Sequence, residues 1–434
     1  MAYGFYYDLD LFSDYTYYLI DYKKGDQFEQ QDRRWVAGLD AHHTIFSQWF
    51  GRKMGNTFGV QVRNDWINNG LYAAENRVRM DKTDYNTGDA IPPILPATRE
   101  RDRFTDTQVG FYAENKIQWA SRFRSVAALR GDDERFVVTS LAYSASVNAA
   151  NSGSATKFLP SPKASLIFGP WANTEFYAQG GFSFHSNDGR GTTQTVEPIS
   201  ADNPNPNTPA SKIPPLVQTK GGEIGARTVA VFHLQSTLAL WYLHSNSELM
   251  QDGDTGGTSA SEQSSNRYGV EWANYYTPTE HLAVDFDLAK SRALFTEIDG
   301  DDAAPNSAGG KRVPEAVGMV ISSGITLHDY QGFSSSLRLR YFGPRDLTSD
   351  GIFRSNQTVM LNGEVSYQIR KKWRVSAEFL NMLDRRDSDI DYAYASRVIP
   401  GITPRGIPIG PSAFTRVAHP VEPFQVRFAL GRSF

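Results

Sequence analysis

Two aspartates in the middle of the chain, Asp285 and Asp287, have the type and spacing of a general acid–base pair. They alternate with apolar residues over 282–288, which is the pattern of a β-strand. Side chains two positions apart on a strand share a face, and the strand rise puts these carboxylates roughly 6.5 to 7 Å apart. At this distance one carboxyl group can act as general acid and the other as general base. The same placement also suits wall residues that pair with arginines of neighbouring strands, and this second interpretation is favoured.

A second candidate site follows another alternating segment and comprises His185, Asn187, Asp188 and Arg190. Arg190 can clamp a carboxylate or phosphate through parallel N–H groups, which would make the segment a ligand contact at a strand end. In the other interpretation the segment anchors a loop, because the Asn-Asp-Gly run supplies turn geometry and Arg190 can pair with a neighbouring strand. The anchor is favoured, and the four residues are kept as predicted substrate contacts.

Two acidic clusters offer oxygen ligands at a spacing that can hold Ca²⁺. Their members are Glu248, Asp252 and Asp254 in the first cluster and Asp387, Asp389 and Asp391 in the second. Neither cluster follows the full twelve-residue calcium-loop pattern, so solvated acidic loops are favoured over calcium sites in both cases. Asp252 and Asp254 are also predicted as substrate contacts in an external loop. Ca²⁺ in these loops is the one cofactor considered.

The sequence offers little else for metal binding or catalysis. His42 and His43 are adjacent, so on a strand they point to opposite faces and cannot easily bind one metal ion. No G-x-S-x-G, H-E-x-x-H, Walker-type or dinucleotide-binding motif is present. The chain has no cysteine for thiolate sites. Its net charge of −4 and the absence of a basic tract argue against nucleic-acid binding. We therefore expect no enzyme and no bound metal.

Composition narrows the fold class. Aromatic residues make up 13% of the 434 residues, and mean hydropathy is −0.45. No stretch approaches about 18 uncharged apolar residues, which excludes a helical membrane protein. A membrane β-barrel stays open, because only every second residue of its strands meets lipid.

Period-2 alternation recurs from one end of the chain to the other. In the last segment Phe424, Val426 and Phe428 alternate with Gln425 and Arg427. Many such segments run about 14 to 18 residues, well beyond the usual 5 to 6 of a soluble strand. Aromatic residues stand beside the short turns, where an interfacial girdle belongs. They are Trp119, Trp171, Tyr275, Tyr276 and Trp373.

The links between the alternating segments are sorted by length. About sixteen strands are predicted, joined alternately by short turns and by long polar links. The long links fall at roughly 76–103, 140–155, 187–218, 251–262, 297–311 and 389–420. Short turns on one side and long loops on the other are typical of outer-membrane barrels. The sequence therefore predicts an all-β, transmembrane, antiparallel up-and-down barrel as a single domain over 1–434.

Two late segments carry a family resemblance. Residues 339–345 read Leu-Arg-Tyr-Phe-Gly-Pro-Arg, and residues 379–384 read Phe-Leu-Asn-Met-Leu-Asp. They resemble the strand entering a late external loop and the strand end, with Met382-Leu383 for the commoner Leu-Phe, of TonB-dependent outer-membrane receptors. The chain also ends on an aromatic residue, Phe434, as these barrels do. The resemblance covers nearly the whole chain.

The sequence departs from that family in what it lacks. No segment resembles a plug domain or a TonB box, and about sixteen strands stand against the family's twenty-two or so. The chain is therefore predicted to be the C-terminal part of a barrel, without plug or first strands. The alternatives are a plugless, porin-like passive channel and a barrel fragment with no function. Pairing between the first strand, about 3–20, and the last, about 424–434, would favour the channel.

The resemblance implies a function and partners. It implies active uptake of a scarce nutrient across the bacterial outer membrane, most commonly a ferric siderophore, with cobalamin, haem or oligosaccharide as alternatives. The partners would be outer-membrane lipid, the TonB–ExbB–ExbD complex and the barrel-insertion machinery, which reads Phe434. In a full receptor the lumenal wall would hydrogen-bond the plug. The wall residues are Asp285, Asp287, Arg338, Arg340 and Arg374, with Arg427 beside them.

Overall fold

Strands make up most of the computed structural model. The structure describes residues 1–80, 98–142, 145–197, 208–251, 258–261, 263–300, 304–369, 372–403 and 409–432. Sixteen strands form the wall: β1 (Ala2–Ser13), β2 (Phe28–Trp49), β3 (Arg52–Glu75), β5 (Thr98–Ala120), β6 (Phe123–Ser140), β7 (Gly153–Trp171), β8 (Thr174–Ser186), β9 (Leu216–Thr228), β10 (Leu234–Ser245), β13 (Ser265–Tyr276), β14 (Leu282–Asp299), β16 (Met319–Tyr330), β17 (Phe333–Phe342), β18 (Thr358–Ile369), β19 (Trp373–Leu380) and β22 (Gln425–Arg432).

Smaller elements decorate the wall. They are β4 (Val78–Arg79), β11 (Leu249–Gln251), β12 (Thr258–Ala260), β15 (Gly310–Arg312), β20 (Ser388–Ser396), β21 (Ala413–Pro420) and the helix α1 (Ala145–Asn151). β11 with β12 and β20 with β21 form separate hairpins, while β4 and β15 add short ladders to β3 and β14. In the described part of the chain, no helix has the length and hydropathy needed to cross a membrane.

Each wall strand pairs antiparallel with the next wall strand along the chain, from β1 to β22. This connectivity confirms the predicted up-and-down topology and the strand number. Within the described residues, β1 pairs only with β2, and β22 pairs only with β19. The two end strands are therefore not joined to each other, and most of their residues are exposed.

The register assigns the two faces of the wall. Val60 of β3 lies opposite Phe111 of β5, so both belong to one face of the sheet. Phe111 is 63% exposed, and Phe428 on the same face of β22 is 79% exposed. The opposite face carries most of the charged side chains. Large apolar residues turned to the surroundings, with polar residues behind them, are the reverse of a soluble sandwich and match a wall that faces lipid.

The strands on one side of the wall are longer than a bilayer needs. β2, β3 and β5 have 22, 24 and 23 residues, against roughly 9 to 11 for a membrane crossing. The outward face of β5 changes from Phe111 to Thr107 and Thr105 toward the end that carries the long links. At the same end of these strands, the inner face of the wall contains a small apolar core. Its members are Ile67, Phe104, Phe136 and Val138.

The long links contain structure of their own. The link 140–155 includes α1, the link 251–262 overlaps the β11–β12 hairpin, and the link 389–420 is largely the β20–β21 hairpin. A further long link, 343–357, connects β17 and β18 and was not among the predicted ones. Residues 81–97, 198–207 and 404–408 lie outside the described chain, as does Phe434.

Candidate ligand-binding site

The inner face of the wall brings the predicted wall residues together in ion pairs. Asp285 of β14 lies opposite Gly324 of β16, which in turn lies opposite Arg338 of β17. Arg338 donates from Nη2 to Asp285 Oδ1 at 3.1 Å and from Nη1 to Oδ2 at 3.2 Å. A Cβ at Gly324 would stand 2.6 Å from Asp285 Oδ1, so the pair reaches across β16 only because that position has no side chain.

This geometry fits wall residues better than an acid–base pair. Asp285 is held by a guanidinium, whereas Asp287 is exposed and forms no ion pair among the described residues. Arg340 is exposed on the same face as Arg338. Arg374 donates to Glu364 Oε1 at 3.1 Å and to Ser366 Oγ at 2.9 Å.

The segment at the end of β8 is tightly folded on itself. Arg190 Nε donates to Asp188 Oδ1 at 3.0 Å, and the Arg190 backbone N–H donates to the same oxygen at 2.9 Å. Burial raises the pKa of Asp188, but the charge and hydrogen bonds of Arg190 outweigh it and leave that pKa below its usual value. Asn187 is buried and donates to Pro214 O at 2.9 Å. Nε2 of half-buried His185 has no hydrogen-bond partner among the described residues. We call residues 187–193 the anchor.

The acidic clusters are divided among separate partners. Glu248 accepts from Arg267 Nε at 3.0 Å and Nη2 at 2.7 Å. Asp387 pairs with Arg385, Asp389 with His419, and Asp391 with both Arg345 and Arg416. No group of three or more histidines and carboxylates in the described chain is placed to hold a metal ion. Asp252 and Asp254 lie outside the described residues.

A cavity of about 320 Å³ lies where β10, β13 and β14 meet the links around β15 and at 343–357. We call it the arginine cavity. Trp241 of β10 and Arg267 of β13 line it from the inner face, and Ser291 lines it from β14. Its lining includes five arginines and one carboxylate. These are Arg267, Arg292, Arg312, Arg345, Arg354 and Asp346.

Asp346 is shared between two guanidinium groups of the cavity. It accepts from Arg312 Nη1 at 2.8 Å and lies 2.9 Å from Arg354 Nε. Arg312 crosses over Gly351, where a Cβ would stand 1.7 Å from Arg312 Nη1. Gly351 also has φ +73°, so the turn and the path of Arg312 both require glycine.

The sequence did not identify this cavity, because its residues come from five separate segments between 241 and 354. Arg345 was noticed only as the last residue of the motif 339–345. None of the four predicted contacts at 185–190 lines the cavity. The geometry of the ion pairs, and not the spacing of the residues, distinguishes the segment 185–190 from the arginine cavity.

The family assignment follows from fold and sequence together. An antiparallel wall with an apolar outer face and a charged inner face defines a barrel of the outer-membrane type. The family model described as "TonB dependent receptor-like, beta-barrel" matches residues 1–382, and the chain belongs to this family. The family consists of transporters and not enzymes, which agrees with the expectation from the sequence.

Solved structures of similar fold include two proteins named as receptors and one named as a transporter. The siderophore receptor PiuA from Acinetobacter baumannii has a TM-score of 0.67 at 14% identity, covering 99% of this chain and 61% of its own. The copper transporter OprC gives 0.64 at 14%, covering 100% and 62%. The ferric yersiniabactin uptake receptor FyuA from Yersinia pestis gives 0.61 at 13%, covering 94% and 55%.

These likenesses show the fold, and the chain spans about three fifths of the length of PiuA and OprC. A comparison with curated protein sequences gives no match. The family resemblance read from 339–345 and 379–384 is confirmed.

Proposed function

We propose that the chain is the barrel wall of a TonB-dependent receptor that imports a scarce nutrient across the bacterial outer membrane. The observation that carries the proposal is the match of the family model to residues 1–382 of this inward-polar, outward-apolar wall. A ferric siderophore is the proposed nutrient. PiuA is named as a siderophore receptor and FyuA as a ferric yersiniabactin uptake receptor, which supports this choice, whereas OprC is named as a copper transporter.

The proposed partners follow from the same assignment. TonB–ExbB–ExbD would energise the full receptor, outer-membrane lipid would surround the apolar face, and the insertion machinery would read Phe434. The inner-face residues Asp287 and Arg340 are exposed, so they are available to contact a plug. Arg338, Asp285 and Arg374 are already paired, and we propose that they stiffen the wall behind it.

An uptake experiment tests the proposal. The gene that encodes this wall is deleted in iron-limited cells, and uptake of a radiolabelled ferric siderophore is compared with and without TonB. We expect uptake that requires both the gene and TonB. Uptake that survives the deletion, or that persists without TonB, would contradict the proposal. Restoring the gene on a plasmid is the control.

The passive channel requires a ladder that the described strands do not form, since β1 and β22 are unpaired with each other. The chain has no cysteine, so engineered pairs report cleanly. Phe5→Cys with Val36→Cys, which lie opposite each other in β1 and β2, should form a disulfide. Phe5→Cys with Ala429→Cys should not form one within a single chain. An intrachain disulfide in the second pair would favour the closed channel.

A further inference from the structure

We propose that the arginine cavity binds a small molecule that carries two or more carboxylate or phosphate groups. The inference deepens the proposed function by naming the chemistry of the molecule that the receptor captures. Binding in the cavity can nevertheless be measured without any transport.

The charge of the lining selects anions. Guanidinium groups stay protonated at all physiological pH values, so the five arginines are permanent cations. Asp346 is one carboxylate between Arg312 and Arg354, and it cannot neutralise both. Arg292 lies opposite Tyr268 on the outward face of the wall, so its guanidinium does not contribute to the charge inside the cavity. A positive excess therefore remains in the cavity.

The other two arginines are held from behind. Glu248 grips Arg267 through two hydrogen bonds, and it is not part of the lining. Arg345 donates to Asp389 O at 3.2 Å and lies 3.8 Å from Asp391, which is 1% exposed and also outside the lining. Both guanidinium groups are thus fixed in place by carboxylates that a ligand does not meet. A guanidinium group held in a fixed orientation can donate two parallel N–H bonds to two oxygens of a carboxylate or of a phosphate.

Two donors in the cavity wall have no acceptor. Trp241 Nε1 and Arg345 Nε are buried and find no hydrogen-bond partner among the described residues. A buried N–H without an acceptor is unfavourable, and such groups are uncommon in folded proteins. An oxygen-rich anion would supply acceptors to both after a small movement of their side chains. A cation would meet the wrong charge, and a neutral ligand would leave the positive excess uncompensated.

The size of the cavity sets a limit on the ligand. A volume of about 320 Å³ is at the low end of small-molecule sites. It has room for a compact polyanion or for one charged part of a larger chelate. Because Trp241 and Arg267 line it from the inner face, a soluble anion reaches it more directly than the phosphate of a lipid headgroup does.

Direct titration tests the proposal. The full 434-residue chain, folded in a neutral detergent, is titrated calorimetrically with citrate and with inorganic pyrophosphate. We expect both to bind, with affinity that falls as salt rises because the attraction is electrostatic. Neutral triethyl citrate is the matched control and should not bind. Binding of triethyl citrate equal to that of citrate, or no binding of either anion, would overturn the proposal.

Three variants locate the site. Arg354→Gln removes one charge and leaves Asp346 paired with Arg312, and the double variant Arg312→Gln, Arg354→Gln removes two charges. We expect affinity for citrate to fall about threefold to tenfold in the first and more than tenfold in the second. Arg374→Gln, an inner-face arginine of β19 outside the cavity, is the control and should leave affinity unchanged. An equal loss of citrate affinity in all three variants, including the control, would contradict the assignment of the binding site to the cavity.

Asp346→Asn separates binding from a merely structural role. It keeps the shape of the side chain but removes the competing carboxylate, so citrate should bind several times more tightly. If Asp346 only held the link 343–357 together, the same change would weaken binding, and that result would contradict the proposal. Each variant is first checked for folding by heat-modifiable mobility, and Arg354→Gln decides the question if the double variant does not fold.

Two further arms separate the possible failures. Adding lipid A in detergent should not displace citrate; displacement would assign the site to a lipid phosphate. If citrate binds but uptake of ferric siderophore does not depend on the gene, the proposed function fails and the cavity stands. If uptake depends on the gene but Arg354→Gln and the double variant leave citrate binding unchanged, only the cavity proposal fails.

Discussion

The anchor and the arginine cavity are built from the same residue types and differ in how their charges are matched. In the anchor, one carboxylate, Asp188, meets one guanidinium, Arg190, and the surrounding Thr192 and Thr193 are buried. In the cavity, the lining carboxylate Asp346 is shared by two guanidinium groups, Arg312 and Arg354. The charges of Asp188 and Arg190 in the anchor therefore match each other.

This difference shows why an arginine in a loop is weak evidence for a ligand. Arg190 was a predicted anion clamp, yet its fork is filled by a carboxylate only two residues away. The guanidinium groups of the cavity take their partners from distant segments, and those partners are too few. Charge balance after folding distinguishes the two.

The largest expected effect comes from Glu248→Gln. Glu248 is 8% exposed, and its loss leaves Arg267 without its partner. Fully buried pairs cost about 3–5 kcal/mol when broken, but Arg267 is partly exposed, so we expect about 2 kcal/mol. Denaturant unfolding in detergent measures this. Citrate should also bind more tightly, because the cavity gains an unpaired charge.

The exposed pair Glu364–Arg374 is the matched control for that experiment. Glu364→Gln should cost about 0–1 kcal/mol and leave citrate binding unchanged. A cost equal to that of Glu248→Gln would mean that burial does not decide the strength of these pairs.

A smaller loss is expected from Asp188→Asn in the anchor. The change leaves the Arg190 guanidinium partly buried with weaker acceptors, at a cost of about 1–2 kcal/mol. Hydrogen exchange over residues 189–193 should quicken, because the turn is held by that carboxylate. Citrate affinity should not change. An altered affinity would break the distinction between anchor and cavity.

Thr192→Val is expected to cost about 1 kcal/mol. The Thr192 hydroxyl is buried and donates to Gly189 O at 2.6 Å, whereas valine keeps the shape without the donor. Unfolding measured beside Asp188→Asn shows whether the two losses add. Full additivity would argue that the hydroxyl and the ion pair act independently, contrary to a single cooperative turn.

The smallest effect concerns the pH dependence of the link 343–357. Burial raises the pKa of Asp350, but hydrogen bonds from Thr348 and the Ile352 amide prevail and lower that pKa to about 2. A lowered pKa stabilises the folded link above the unfolded value of about 3.9, and this contribution disappears as pH falls through about 2.

Hydrogen exchange at the Ile352 amide measures this contribution. Protection should persist from pH 7 to about pH 4 and decline between about pH 4 and pH 2. Asp350→Asn should remove this pH dependence. Loss of protection already between pH 7 and pH 5 would contradict the assignment to Asp350.

The wall could be predicted from the sequence because its pattern is local. Alternation across 424–428 or 282–288 needs no knowledge of the partner strand, and it assigned Asp285 and Arg338 to one face correctly. The hydrogen-bonded reach of that pair across Gly324 could not be predicted, since it depends on the register of three strands. The link 343–357 has no periodicity to read, so neither it nor the cavity was found.

The extended part of β2, β3, β5 and β6 has a consequence for how the mouth of the barrel can move. These strands form one continuous ladder from the short turns to their far ends and have a small apolar core at that level. A rim built in this way shifts only if the whole wall shifts. The part of the wall from β10 to β18 forms the arginine cavity together with the links around β15 and at 343–357. We therefore expect the ends of β2, β3, β5 and β6 to keep their positions, whereas the links between β10 and β18 adjust to a bound ligand.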